Sequence, residues 1–304
     1  MVQHLNATHT DFAAAFVTLV EARRQVDDDV SGVVKGVINS VRKDGDKAIR
    51  AFTQRWDGHD LGDAGWQIDA RRLAQAFDGL DANVRYALEL AARRIAAYHH
   101  RQLPSDSEFT DEAGACLGAR WKPVESAGLY VPGGRAAYPS SVLMNAIPAV
   151  VAGVKRLVMV TPMPGGTPNP LVLAAAHLAG VTEVWPIGGA QAIAALAYGT
   201  ASIHKVDVIT GPGNAWVAEA KRQVYGIVGI DMVAGPSEIV VVADAASDPE
   251  WIAADLLSQS EHDPASQSIL ITDDMNFAEQ VMEAVERQLQ DLDTGVVARR
   301  AWEG

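Results

Sequence analysis

Gln259 and His262 are the residues whose types and spacing first suggest a chemical site. They stand three positions apart in the segment SQSEHDPASQS, at the end of a run with helical spacing. Because residues three apart share one face of a helix, the amide oxygen and an imidazole nitrogen could converge on one metal ion. Zinc takes about four ligands and prefers His, Cys or carboxylate, so this pair alone would hold it weakly. The alternative is a capped helix end that carries an ordinary surface histidine.

Three glycine-rich segments have the form of strand-to-helix joints, where parallel sheets collect their ligands. They are GLYVPGG at 128–134, IGGAQA at 187–192 and TGPGNA at 210–215. Glycine lets a ligand approach the backbone, and the N-terminus of the following helix favours an anion. None of the segments matches the G-x-G-x-x-G dinucleotide pattern, so each could equally be a simple turn.

Other reactive side chains give weaker signals. Ser237 of DMVAGPSEIVV stands just before a predicted buried strand, and no G-x-S-x-G elbow surrounds it, so nucleophilic serine chemistry is not expected. His177 lies in the apolar helical run LAAAHLAG and is predicted to be a core residue. Adjacent helical residues point about 100° apart, so Glu261 and His262 are not expected to serve one site. Cys116 is the single cysteine, which excludes an internal disulfide and a Cys-rich metal site.

The elements that must position these residues change in character along the chain. Residues 28–103 carry apolar side chains at three- and four-residue spacing, which predicts an α-helical N-terminal segment. After residue 122, short β-branched runs alternate with runs of helix length, most of which end at glycine. This order predicts βαβ units whose parallel sheet is covered by helices. The predicted strands are RLVMVTP, EVWPIGG, KVDVITG, EIVVVAD and QSILITD.

Composition and charge narrow the class of protein. With 304 residues, 48% hydrophobic and 21% charged, the chain is long enough for about two α/β domains with their own cores. Its net charge of −13 opposes binding to nucleic acid or to an anionic membrane surface. The short basic clusters ARR and KRQ lie in helical patterns beside acids and are predicted to be solvated helix faces. No secretory signal or membrane span is visible, which predicts a cytoplasmic protein.

Five longer segments, taken in chain order, resemble the histidinol dehydrogenase family. They are GLYVPGGRAAYPSSVLMNAIPAVVAGV, IGGAQAIAALAYGT, DVITGPGNAWVAEAKRQV, GIDMVAGPSEIVVVAD and ADLLSQSEHDPASQSILIT. The resemblance is dense over residues 127–272 and looser over the helical N-terminal segment and over 277–292. It implies an α/β fold of two Rossmann-like βαβ domains with an α-helical N-terminal segment. Residues 1–127 would hold that segment and the first part of an outer domain, 128–237 an inserted Rossmann-like domain, and 238–304 the return to the outer domain.

The resemblance implies a homodimeric, zinc-dependent enzyme of histidine biosynthesis. Such an enzyme oxidises L-histidinol through L-histidinal to L-histidine, the last steps of the pathway, and reduces two NAD⁺. Tyr130 of GLYVPGG, Gln191 of GGAQA and Asn214 of GPGNA match positions that contact NAD in the family. These three residues are therefore the expected cofactor-binding residues of this chain.

Ser237, Gln259 and His262 match substrate-binding positions of the family, and the last two also match zinc ligands. In the family an adjacent Glu-His pair supplies the general base, and an Asp and a further His complete the zinc shell. The resemblance places all four beyond the segment that matches Arg300, so the catalytic residues are not assigned in this chain. It implies a sequence without the family's C-terminal part, and a 304-residue chain that is inactive by itself.

Two alternatives stay open. A related NAD-dependent dehydrogenase of another polar alcohol, such as a sulfonated diol, would share the NAD loops and differ in the residues around the substrate. A non-catalytic fragment that still folds, dimerises or binds nucleotide is favoured by the missing Glu-His pair. A panel of alcohols offered with NAD⁺ separates the first alternative, and the mass of the intact polypeptide separates the second.

Overall fold

The structure, a computed structural model, describes residues 2–22, 26–62, 65–133, 138–233, 238–261, 266–292 and 294–303. The chain folds into two compact units. The first unit contains Met1–Val26 together with Ala234–Gly304, and the second contains Asp27–Val233. The domain boundary expected after residue 127 falls inside the second unit. The three-part division into domains therefore stays a prediction.

Helices dominate the N-terminal third of the chain, as the three- and four-residue spacing predicts. They are α1 (Phe12–Ala22), α2 (Val26–Asp44), α3 (Asp46–Asp57), α4 (Ala70–Asp78) and α5 (Ala82–His100). Asp69 and Asp81 cap α4 and α5, because each carboxylate accepts the backbone N–H two residues further on. A hairpin of two short antiparallel strands follows, β1 (Ser107–Thr110) and β2 (Cys116–Ala119). The sequence patterns did not predict this hairpin.

A parallel sheet forms the centre of the second unit. Its strands are β3 (Ser126–Tyr130), β4 (Arg156–Val160), β5 (Glu183–Trp185), β6 (Val208–Thr210) and β7 (Gly229–Ile230). The helices between them are α6 (Pro139–Ala152), α7 (Pro170–Leu178), α8 (Gly189–Tyr198) and α9 (Ala215–Val224), and a 3-10 turn, Pro164–Gly166, precedes α7. The strands lie in the order β5-β4-β3-β6-β7. This arrangement confirms the predicted α/β fold of βαβ units.

Alternating side chains of β4 explain why helices cover this sheet on both faces. Val158 and Val160 join one hydrophobic cluster with residues of α2, α3, α8 and α9. Leu157 and Met159 join a second cluster with residues of α4, α5, α6 and α7. All four side chains are buried, so a strand that is apolar on both faces needs a helical layer on each.

The first unit contains a second, smaller βαβ unit. Its elements are β8 (Glu238–Val242), α10 (Pro249–Ser260), β9 (Gln267–Ile271), α11 (Met275–Asp291) and α12 (Gly295–Glu303). β8 and β9 are parallel, and the helices pack against Ile239, Val241 and Leu270. Val240 and Val242 point to the opposite face and are exposed within the described residues. Among the described residues, helices cover one face of the pair, so the prediction that EIVVVAD is a buried strand is wrong for Val240 and Val242.

His177 does not lie in the core, so that prediction is wrong. α7 buries a continuous run of small and β-branched residues, Val172 to Ala176, but the side chain of His177 is exposed in its last turn. The imidazole lies beside Phe77 of α4, with 5.5 Å between the ring centroids. Position 177 thus falls on the narrow part of the helix that the apolar layer leaves uncovered.

Among the described residues, no helix combines the length and the apolar character needed to cross a bilayer.

Candidate functional site

The order of strands identifies where a ligand can bind in the second unit. β3 lies between β4 and β6, and the helix after β3 covers one face of the sheet whereas the helix after β6 covers the other. The two connections therefore diverge beyond the carboxyl ends of β3 and β6, and leave a crevice there. Open α/β sheets bind their ligands at this kind of switch point. The three glycine-rich segments singled out in the sequence follow β3, β5 and β6, so they border the same edge of the sheet.

Tyr130 is the last residue of β3 and lies at this edge with its side chain buried. Its hydroxyl oxygen accepts the backbone N–H of Gly189 at 3.1 Å, which joins the first glycine-rich segment to the second. Burial raises the pKa of Tyr130 to about 12; the Gly189 hydrogen bond acts against that rise, and the nearby Asp57 carboxylate adds to it. The phenol is therefore neutral at ordinary pH and remains a hydrogen-bond donor.

Gln191 lies in the first turn of α8 and is 1% exposed. Its amide oxygen, Oε1, has no hydrogen-bond partner. The same oxygen would lie 2.7 Å from a Cβ added at Gly189, whose φ of +65° also favours glycine. A second buried oxygen without a partner, Oγ1 of Thr210, lies at the end of β6. Buried polar atoms are normally paired, so these two oxygens mark an edge that can accept hydrogen bonds from a ligand.

The third segment packs directly against the first. Gly211 follows β6 with φ +116°, and a Cβ there would collide with the carbonyl oxygen of Tyr130. Asn214 is exposed and caps α9, because its side-chain oxygen accepts the N–H of Val217 at 3.2 Å. The N-terminus of α9 and the amide of Asn214 therefore face the solvent beside the crevice, a position suited to anionic and amide groups of a ligand. Tyr130, Gln191 and Asn214, predicted from the sequence, all lie at one edge of the sheet.

Lys221 and Asp231 belong to the same edge, although no sequence pattern predicted a role for either. Lys221 is only 2% exposed, so the prediction that KRQ forms a solvated helix face is wrong for its lysine. The ammonium pairs with the Asp231 carboxylate and donates to the Gly211 carbonyl at 3.0 Å. Asp231 also accepts the Gly211 N–H at 2.8 Å. The sequence does contain a signal that Lys221 is buried. Position 221 continues the buried stripe of Val217 and Val224, where a helix would ordinarily carry an apolar residue.

The residues expected to bind zinc and substrate belong to the first unit. Gln259 lies half-buried in the last turn of α10, whereas Ser237 and His262 lie outside the described residues. Glu261 is engaged elsewhere, since its carboxylate accepts the hydroxyl of Thr294 at 2.8 Å. Within the described ranges no three His, Cys, Asp or Glu side chains are grouped as a metal site requires. Gln259 supplies one neutral oxygen, which by itself does not suit a zinc ion.

Comparison with known proteins gives consistent matches over nearly the whole chain. The family model described as Histidinol dehydrogenase matches residues 20–304. A protein named Histidinol dehydrogenase from Zymomonas mobilis is 60% identical over 303 residues, which cover 100% of this chain and 70% of that protein. Its namesake from Ruegeria pomeroyi is 57% identical over 302 residues, again 70% of the relative's length. The crystal structure of a histidinol dehydrogenase from Elizabethkingia anophelis is similar with a TM-score of 0.80 and 37% identity, over 89% of this chain and 63% of that one.

Proposed function

The chain belongs to the histidinol dehydrogenase family, and we propose that it oxidises L-histidinol through L-histidinal to L-histidine, the last steps of histidine biosynthesis, with NAD⁺ as the oxidant. The names of relatives at 53–60% identity support this substrate. One observation in the structure carries the cofactor assignment. Three glycine-rich segments converge at the switch point of a parallel sheet, beside buried oxygens without partners. A related dehydrogenase of another polar alcohol is the second candidate.

Bound NAD⁺ supplies the acceptor for the hydride that leaves the alcohol carbon. The residues of this chain would bind and orient it. Gln191 offers an amide oxygen without a partner, which suits an N–H or O–H donor of the cofactor. The exposed amide of Asn214 and the N-terminus of α9 suit its polar and anionic groups. Tyr130 keeps its proton, and so its phenol can donate a hydrogen bond while it accepts one from Gly189.

The remaining part of this proposal is the assignment of zinc to Gln259 and His262. This assignment rests on the family resemblance. In that role the metal would position the amino alcohol and the imidazole of the substrate, and Ser237 would contact the substrate directly. The resemblance assigns the general base and two further zinc ligands to segments that match no part of residues 1–304. We therefore propose that a polypeptide of these residues alone binds NAD⁺ but does not turn over L-histidinol.

A titration of NAD⁺ tests the cofactor assignment through Asn214. Asn214→Ser keeps a side-chain oxygen that can cap α9 but removes the amide N–H donors, so the helix survives and the cofactor contact is lost. Asn169→Ser is the matched control, because Asn169 caps α7 in the same way, accepting the N–H of Leu171 at 2.9 Å. We expect the affinity for NAD⁺ to fall about tenfold or more in the first variant and to hold in the second. Equal affinities in wild type and Asn214→Ser would remove Asn214 from the site.

The substrate and the assembly need separate measurements. A panel that compares L-histidinol with a sulfonated diol, each offered with NAD⁺ and zinc, distinguishes the proposed enzyme from the second candidate.

For the assembly we propose a cytoplasmic homodimer, without nucleic-acid or membrane partners. Light scattering in solution should then give twice the chain mass of 32.3 kDa. A mass equal to one chain would contradict the dimer.

A further inference from the structure

The carboxylate of Asp57 lies in an environment that disfavours its negative charge. It is the last residue of α3, where the helix dipole disfavours a negative charge, and Gly58 with φ +60° ends the helix directly after it. One carboxylate oxygen, Oδ2, is buried and has no hydrogen-bond partner. Burial raises the pKa of Asp57, and nearby His59 only partly offsets this effect. A buried acceptor left unpaired at the negative end of a helix is costly, so such a group is a candidate for a functional contact.

The surroundings of Asp57 place this carboxylate at the edge of the sheet that carries the proposed NAD site. α3 packs against α8 and against the turn Pro164–Gly166, which follows β4. His59 lies directly over Gly166, where an added Cβ would be 2.5 Å from the imidazole Nδ1. The Asp57 charge is also close enough to Tyr130, at the end of β3, to raise the pKa of that phenol. Asp57 therefore lies beyond the carboxyl ends of two adjacent strands, β3 and β4.

Doubly wound dinucleotide-binding folds use an acidic residue at such a position. It follows the second strand of the first βαβ unit and accepts hydrogen bonds from the ribose hydroxyls of NAD. In this sheet the first βαβ unit is β3-α6-β4, and the sequence has no Asp or Glu between Val160, the end of β4, and Thr182. The usual source of the acid is therefore missing. Asp57 offers the same chemical group to the same edge from a helix outside the βαβ unit.

We propose that Asp57 recognises the adenosine ribose of NAD by accepting hydrogen bonds from its vicinal hydroxyl groups. This assignment rests on the proposed NAD-dependent function. A carboxylate accepts from two neighbouring hydroxyls at once, and the bound diol would satisfy the oxygen that has no partner in the protein. The same negative charge would repel the 2′-phosphate of NADP, so Asp57 would also select NAD over NADP.

Asp57→Asn tests the assignment because it preserves the shape of the side chain and removes the charge. We expect its affinity for NAD⁺ to fall about tenfold or more, since a hydrogen bond to a charged acceptor is lost. The ratio of NADP⁺ to NAD⁺ affinity should rise by a similar factor. The melting temperature should hold or rise, because the variant removes a negative charge from the C-terminal end of α3, where the helix dipole disfavours it. Asp60→Asn is the control: it makes the same change of charge three residues further on, at an exposed carboxylate that accepts the Gly62 N–H at 2.9 Å.

Calorimetric titrations of the 304-residue chain with NAD⁺ and with NADP⁺ decide between the outcomes. A selective loss in Asp57→Asn, absent from Asp60→Asn, supports the assignment. Unchanged NAD⁺ affinity and unchanged preference over NADP⁺ in a folded Asp57→Asn variant overturn it and leave the proposed function intact. A folded wild-type chain that binds no NAD⁺ overturns the proposed function and this assignment together.

Discussion

Lys221 and Asp231 together hold both polar groups of one peptide unit at the edge of the central sheet. The Lys221 ammonium donates to the carbonyl of Gly211 at 3.0 Å, and the Asp231 carboxylate accepts the N–H of Gly211 at 2.8 Å. The two side chains also pair with each other. Gly211 lies in the segment TGPGNA, three residues before Asn214, so this pair fixes the start of the loop that we propose binds NAD⁺.

Lys221→Met should lower both stability and NAD⁺ affinity. Breaking a buried ion pair from one side costs about 3 to 5 kcal/mol, and we expect the lower figure because the Asp231 side chain is 32% exposed. The released Gly211 carbonyl would let the loop move, so the dissociation constant for NAD⁺ should rise about tenfold. Urea unfolding and an NAD⁺ titration measure the two effects. Lys221→Arg should restore part of the affinity, since it keeps the charge.

Arg156→Met is the matched control for Lys221→Met. Arg156 begins β4 at the opposite edge of the same sheet, where it pairs with Glu183 and donates to the carbonyls of His204 and Lys205 at 3.0 Å. Its loss should lower the free energy of unfolding without a change in NAD⁺ affinity. If both variants lose affinity to the same extent, Lys221 acts only through general stability and does not position the loop.

Gly211→Ala should be far more damaging than alanine at another glycine of positive φ. At Gly211 the new Cβ would collide with the Tyr130 carbonyl oxygen, which belongs to a central strand and cannot move aside. At Gly180, with φ +71°, nothing lies within 4 Å, so Gly180→Ala carries only the backbone strain of about 1 to 2 kcal/mol. We expect Gly211→Ala to cost about 2 kcal/mol more than this control by chemical denaturation. Similar costs for both variants would show that the contact between the two segments is loose.

Tyr130→Phe should change the response of stability to alkali. The pKa of Tyr130 is raised from 10.0 to about 12, so above pH 10 the unfolded chain releases a proton that the folded chain still holds. The free energy of unfolding therefore falls as pH rises from about 10 to about 12, and Tyr130→Phe should make this decline shallower. Near pH 7 the variant leaves the Gly189 N–H without its acceptor, at a cost of about 1 kcal/mol.

The sequence predicted the elements and the loops of this edge, and the comparisons confirm the family resemblance. The periodicity of apolar residues and the glycine-rich connections between strands and helices are local signals, and they predicted the positions of β4, α8 and α9. Pairing between residues distant in the sequence leaves no local signal. Lys221 lies on an apolar stripe of α9, and its partner Asp231 lies directly after β7. Asp57 likewise reaches the edge from a helix that the βαβ pattern does not include. The prediction for His177 was wrong because helical periodicity identifies the apolar face of a helix but does not show how far the neighbouring layer extends over it.

The hairpin of β1 and β2 was missed for a related reason. Both strands are four residues long and exposed along their length, so the alternation that marks a half-buried strand is absent. Its turn is instead held by Asp111, whose carboxylate accepts the N–H groups of Ala113 and Ala115 at 2.9 Å. A side chain that organises its own turn leaves little trace in a hydrophobic pattern.

Zinc should bind weakly to a polypeptide of residues 1–304, and whatever binds should depend on His262. Gln259 and His262 offer two of the about four donors that zinc requires, and glutamine brings no negative charge to offset that of the metal. Dialysis should therefore strip most of the zinc, and mild acid the rest, because only a neutral imidazole can bind it. His262→Asn should remove the residual binding, whereas His177→Asn, at an exposed histidine of α7, should not. Elemental analysis after dialysis measures the metal per chain; one zinc held tightly and undisturbed by His262→Asn would refute the assignment of Gln259 and His262.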